Sequence, residues 1–293
     1  MSITTECMLV SLHRGAWEAR KLDKEEGKKV ANDSGAAVDA VSVNKLIIPK
    51  EALAKVQAAS NAIYSHYMHH TLPWKDNGDR LLSRKIYMKF IEEHEELVSA
   101  LKTEAYNFAH NVYPQYRAQA QFRMAGLFKA SDYPDPHTVA SKFYARLEID
   151  AVTEASDFRV KMDSEQAERI QERIEENMNA RVGAVMEKVW TQLSDALEHY
   201  AERMKTDGRL YDSVKENLIG LCDILPGLNI LNDPKLAAMG KTIKERLEGF
   251  EIKPMRDPKL GKMLKAQAAA EADEIVEQMR GFMAAFGATQ DEE

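Results

Sequence analysis

Three of the chain's eight histidines, His66, His69 and His70, fall within one short stretch, YSHYMHHTLPW. His66 and His70 are spaced i, i+4, so a helix would carry them on one face. A zinc or iron site needs a further carboxylate or histidine, and neither an HExxH nor a paired ExxH pattern supplies one. The expectation is therefore of histidines that pack or hydrogen-bond near a helix end, with no metal and no other cofactor. The acidic run Glu92-Glu93-His94-Glu95-Glu96 could be imagined as an acid/base or metal site. Adjacent glutamates on one helix point in several directions, which suits a solvated face better. Cys7 and Cys222 lie far apart in the chain and read as buried thiols, neither a disulfide pair nor a metal site. No GxSxG elbow, phosphate loop, zinc ribbon or Rossmann fingerprint is present. A hydrolase or nuclease would have to use His66, His69, His70 and nearby carboxylates, so no catalytic residue is assigned.

The element around which the chain is organised runs from Asp163 to Lys205 without a proline. Its apolar stripe is Ala167, Ile170, Ile174, Met178, Val182, Val185, Val189, Leu193, Leu197, Tyr200 and Met204, which predicts one amphipathic helix. Asp163 and Gln166 have the form of a capping box, and Thr206-Asp207-Gly208 is the stop. Such a helix would reach about 60 Å, against a radius of gyration of roughly 19 Å for a compact globule of this length. An elongated molecule is expected. The stripe advances by about 3.7 residues per step, beyond the 3.5 of a left-handed coiled coil, so a straight or slightly right-handed pairing is expected.

Composition agrees with a predominantly helical globular protein: 44% hydrophobic and 30% charged residues, with few Pro and Gly. A net charge of -7 argues against a dedicated nucleic-acid coat. Nowhere do about eighteen apolar residues run together, and no basic region precedes an apolar run at the N-terminus, so a chain that neither enters a membrane nor is secreted is expected.

In chain order, Glu6 to Arg14 alternates as a strand and a helix is expected over about 16–31. Val43 to Ile48 reads as a short strand, and Pro49 opens a helix that runs to about His70. Leu72-Pro73-Trp74 ends that helix, with Trp74 anchoring the loop. Ser83 is the expected cap of a second long helix with stripe Tyr87, Phe90, His94, Leu97, Leu101, Ala105, Phe108 and Val112, the expected packing partner of the 163–205 helix. Pro114 should kink or interrupt it. Phe143 to Asp150 and Asp157 to Met162 both alternate with period two and predict a hairpin feeding the long helix. Asp212, Asp233 and Asp257 are placed to cap three later helices, with Gly249 and Gly287 placed to end the last two. The fold class read from this is α+β, mostly α, with long antiparallel helices and a small antiparallel sheet. The expected division is a body over 1–250, built on a helix hairpin of about 83–128 and 163–205, and a C-terminal helix with an acidic tail over 251–293.

The order CMLVSLHRGAWEARKLD, NKLIIPKEAL, HTLPW, GLFKASDYP and DFRVKM resembles a phage- and prophage-borne family of unknown function, across most of the first 230 residues. That resemblance implies a viral origin and expression in a host bacterial cytoplasm, and supplies no catalytic residues. It also implies a neighbourhood of MoxR-like ATPases and hence an ATPase as the partner of an adaptor.

Two functions are weighed from the residues. The first is a non-catalytic interaction or assembly protein, a homo-oligomer or the binder of a protein partner, acting through the long helix at Val185, Val189, Leu193, Leu197 and Tyr200. The alternative is a nucleic-acid-binding accessory of replication or recombination, using Tyr116, Arg117, Arg123, Tyr144, Arg146, Arg159 and Lys161.

Overall fold

The structure is a computed structural model that describes residues 3–74, 78–152, 164–206, 208–257 and 259–288. The elements are α1 (Ile3–Glu6), β1 (Cys7–Gly15), β2 (Arg20–Leu22), α2 (Lys24–Asp33), β3 (Asn44–Leu46) and α3 (Lys50–His70). Next come β4 (Leu72–Pro73), β5 (Arg80–Ser83), α4 (Tyr87–Asn107), α5 (Tyr113–Met124), α6 (Pro136–Ser141) and β6 (Tyr144–Ala151). The chain continues with α7 (Ser164–Lys205), α8 (Ser213–Leu228), α9 (Pro234–Leu247) and α10 (Gly261–Ala288). A four-stranded sheet has the order β4-β5-β1-β6, and β2 with β3 forms a two-stranded one. This is an α+β protein, mostly α, with small antiparallel sheets. The expected hairpin partner 157–162 and the cap at Asp163 lie outside the described residues.

Packing divides the chain into two units. One unit comprises 1–10, 70–88 and 149–293; the other comprises 11–69 and 89–148. The division falls between His69 and His70, inside the last turn of α3, and again just after the first residues of α4, so each helix is continuous through it.

In the first unit, α7 packs along α10 and α8. Its stripe is covered by the chain itself: Val185, Met186, Val189, Leu193, Leu197 and Tyr200 are all buried in one core with Leu221, Leu225, Ala272, Ile275 and Met279. Each such side chain contributes about 1.5–3 kcal/mol by leaving water. Within this unit α8 and α10 cover α7. Leucines 81 and 82 are buried on β5, a strand that takes Ser83 as its last residue, so Ser83 does not cap α4; its hydroxyl accepts the amide of Lys85. Trp74 is buried in this core, as expected. The indole N–H of Trp190 donates to the Asp233 carboxylate at 3.2 Å, tying α7 to the start of α9, whose first turn Asp233 also caps through the amide of Lys235. Asp212 stands at the N-cap of α8 as expected, but without a side-chain cap hydrogen bond, its carboxylate accepting instead from Arg256 at 2.8 Å. Gly287 lies inside α10 rather than ending it.

In the second unit, Leu53, Val56 and Ile63 of α3 share a core with Leu101 and Ala105 of α4, with Phe108, Tyr113, Tyr133 and Phe143. The helix expected from Ala16 begins only at Lys24. Ala19 has a positive φ of 53°, which no helix tolerates, and the Asp23 side chain caps α2 by accepting the Glu26 amide. Between them β2 pairs antiparallel with β3 through Lys21 and Lys45. Pro114 does not break the α4–α5 rod. Having no N–H to give, it lets the backbone widen into a π turn over Phe108–Val112, closed by the Tyr113 amide on the Phe108 carbonyl.

Candidate functional site

α3 carries His66 and His70 one turn apart, and α4 carries Glu93. His66 and Glu93 are half-buried in the second unit. Glu93 is a carboxylate near His66 that spacing along one helix could not offer, because it stands on another helix. Glu92, Glu95 and Glu96 of the same run are exposed, as a solvated face requires. His66 Nε2 lies 3.2 Å from the Phe90 carbonyl, and its ring stacks on the Phe90 ring with centroids 4.7 Å apart. His66 Nδ1 faces Glu93 Oε2 at 3.7 Å, while Lys89 sits 3.7 Å from the other carboxylate oxygen.

Behind Phe90, His94 is buried with a hydrogen-bond partner at neither ring nitrogen. Burial pulls its pKa down, against a weaker opposing pull from Glu95, so the ring is held in its neutral form.

Neither cysteine is placed for nucleophilic work. Burial pushes the Cys7 thiol up to about 11 and the Cys222 thiol up to about 12.

A second feature of the same unit is the outer face of the α4–π–α5 rod. Tyr106, His110, Pro114, Ala118 and Phe122 recur every fourth residue, and the wider π turn, at about 4.4 residues per turn, keeps that row closer to one side than an α-helix would. Tyr106 is 62% exposed and Phe122 95%. The Tyr106 and His110 rings lie 4.3 Å apart, and His137 of α6 adds an edge contact to His110 at 5.1 Å. One flank is amides, Asn111 bonding Asn107 and Gln115 bonding the Asn111 carbonyl, and the other carries the exposed Arg117.

Of the described residues expected to touch nucleic acid, three are engaged within the fold. Tyr116 is half-buried against the second core, Arg123 donates to the Ile47 carbonyl at 2.9 Å, and Arg146 pairs with Glu148 at 3.0 Å. Arg117 and Tyr144 are exposed, and Arg159 and Lys161 lie outside the described residues. Cations do converge in the first unit, where a cavity of about 690 Å³ is lined by Lys205, Arg209, Arg256, Lys262 and Lys265 together with Asp257. Sequence reasoning missed that cavity because its residues come from the end of α7, the 254–257 turn and the start of α10.

It also missed Lys45, buried in the second unit with its ammonium 2.9 Å from Asp23 and 2.7 Å from Asp132. This triad locks β3 to two loops and has no access for a ligand.

No helix among the described residues is long and apolar enough to cross a membrane. Comparison with family models, with curated proteins and with solved structures gives no match.

Proposed function

We propose that the chain is a non-catalytic interaction and assembly protein that self-associates, acting in a host bacterial cytoplasm as the resemblance to a phage-borne family implies. The observation that carries this reading is Phe122, 95% exposed at the end of an uncharged row on α4 and α5. A phenylalanine in that position gives up roughly 1.5–3 kcal/mol of burial that a partner would restore. The occupant that fits is a second copy of this chain. A single row can pair with itself antiparallel about a two-fold axis, and a row with no acidic side chain in it lets two chains of net charge -7 approach there. The α7 stripe expected to do this work is occupied by α8 and α10. The row on α4 and α5 takes its place in the proposal. A photo-crosslinking residue at position 122 tests it: the product expected is two copies of the chain joined. A product with another protein, or none, would overturn the assignment of the occupant.

One observation favours a second reading, binding of a polyanion such as nucleic acid: the cavity lined by Lys205, Arg209, Arg256, Lys262 and Lys265. Two of these cations are engaged, Lys205 by Asp273 and Arg256 by Asp212, which leaves the cavity weaker than its composition suggests. Binding of single-stranded DNA that falls steeply with salt and is lost in Lys262→Glu with Lys265→Glu would support it; salt-independent binding or none would not.

A further inference from the structure

We propose, resting on the polyanion reading of the same cavity, that the cationic cavity of the first unit binds a phosphorylated small molecule of nucleotide size. Its cations come from the end of α7, the loop after it, the 254–257 turn and the start of α10. Two are spent within the fold, Lys205 on Asp273 at 2.6 Å and Arg256 on Asp212 at 2.8 Å. The other three pair with no carboxylate among the described residues. Lys262 makes no hydrogen bond or ion pair there, and the Arg209 guanidinium lies over the Tyr211 ring, 5.3 Å from its centroid. The Lys265 ammonium reaches only the carbonyls of Thr206 and Gly208, at 3.4 and 3.5 Å. Such neutral acceptors position a cation without cancelling its charge.

The acidic residue of the lining is otherwise occupied. Asp257 Oδ1 accepts the amides of Leu260 and Lys259 at 2.9 and 2.8 Å, and those bonds hold its carboxyl below the usual carboxylate range. Amides at the start of α10 therefore serve this carboxylate, and the side-chain cations are left to meet a ligand. With Asp212, Asp257 and Asp273 set against the five cations, an excess of two positive charges remains, in a chain whose net charge is -7. A phosphate monoester carries about -1.5 to -2 at neutral pH, and ammonium and guanidinium groups are its usual partners.

The rest of the lining extends the ligand beyond its phosphate. The cavity holds about 690 Å³, inside the range of roughly 300–1,000 Å³ usual for small-molecule sites. Met204, Leu210, Met255 and Ala269 line it as buried apolar residues. Methionine adapts readily to the shape set against it. Inorganic phosphate would leave this apolar part uncovered, whereas a nucleoside phosphate covers it with its base. A free nucleotide and the end of a nucleic-acid strand share this chemistry.

The test is equilibrium dialysis of the full chain against radiolabelled AMP, with adenosine, inorganic phosphate and single-stranded DNA as competitors. One saturable site per chain is expected, and adenosine and phosphate should each compete at least about tenfold more weakly than AMP, since each lacks half of the contacts. Lys262→Gln and Arg209→Gln should each weaken AMP binding about tenfold by loss of a charged donor. Lys241→Gln, on α9 and outside this lining, should leave it unchanged. Lys262 supports nothing else among the described residues, so its variant keeps the fold and decides the matter. Binding of DNA without AMP would overturn the nucleotide and leave the polyanion reading standing, and binding of neither would end both. Phosphate competing as well as AMP, or an equal loss in Lys241→Gln, would also overturn the site.

Discussion

The Lys45 ammonium lies 2.7 Å from the Asp132 carboxylate in the second unit, where neither side chain is more than 8% exposed. Asp23 closes the triad at 2.9 Å and the Leu127 carbonyl accepts at 3.0 Å. Replacing Lys45 with Met would leave the Asp132 carboxylate buried without its cation and Asp23 with only Lys129, at 3.5 Å. The expected loss is on the order of 3–5 kcal/mol, the usual cost of removing one partner from a buried pair. Chemical denaturation measures it, and a loss below about 1 kcal/mol, the scale of an exposed pair, would mean that the triad is open to water.

The same triad sets an acid limb. The hydrogen bond from Lys45, then that from the Glu26 amide, holds the Asp23 carboxyl down to about 2. A folded-state value below the unfolded one contributes stability that is present in full above about 4, the usual carboxylate range. That contribution is lost as pH falls through about 2. Asp23→Asn should be less stable at neutral pH and flatter than the parent between those limits. Parallel acid-unfolding curves for the two proteins would contradict the assignment.

The inner half of α7 gives the third test. Changing Val189 and Leu193 together to Gln should lower the melting temperature steeply, since both are buried against α8 and α10 and each truncated contact with a polar insertion costs on the order of 2–5 kcal/mol. An unchanged melting temperature with a halved solution mass would instead place these residues between subunits.

The stripe from Val185 to Met204 shows what sequence can and cannot specify. Its period and proline-free length determine the helix, and the structure has it over Ser164–Lys205. Which element covers it is a question of tertiary packing, and helix α10, closest to the C-terminus, does so together with α8. The strand Arg80–Ser83 was hidden because four residues carry too short an alternation to outweigh a serine that resembles a cap. The start of α2 was misplaced because nothing in the residue type of Ala19 announces a φ of 53°. Of the candidate site, His66 and His70 were legible as an i, i+4 pair, but Glu93 meets His66 from another helix, and no spacing rule reaches that far.

Gly261 supplies a fourth prediction. A Cβ added there would meet the Met255 backbone carbonyl, which cannot swing aside as a side-chain tip can. Gly261→Ala should therefore destabilise by about 1–3 kcal/mol, as overpacking does, although alanine is favoured by up to about 1 kcal/mol at an ordinary helical position. A stabilised variant would show that the 254–257 turn yields.

The measurement that bears most directly on self-association through the α4–α5 row is the solution mass of the parent and of Phe122→Glu by sedimentation equilibrium over a concentration series. The parent should approach twice the chain mass of 33.1 kDa as concentration rises. The variant should stay at the single-chain value with the parent's helical signal and melting temperature, because Phe122 is 95% exposed and supports no core. A parent that remains at 33.1 kDa throughout, or a variant that pairs as tightly as the parent, would contradict the account.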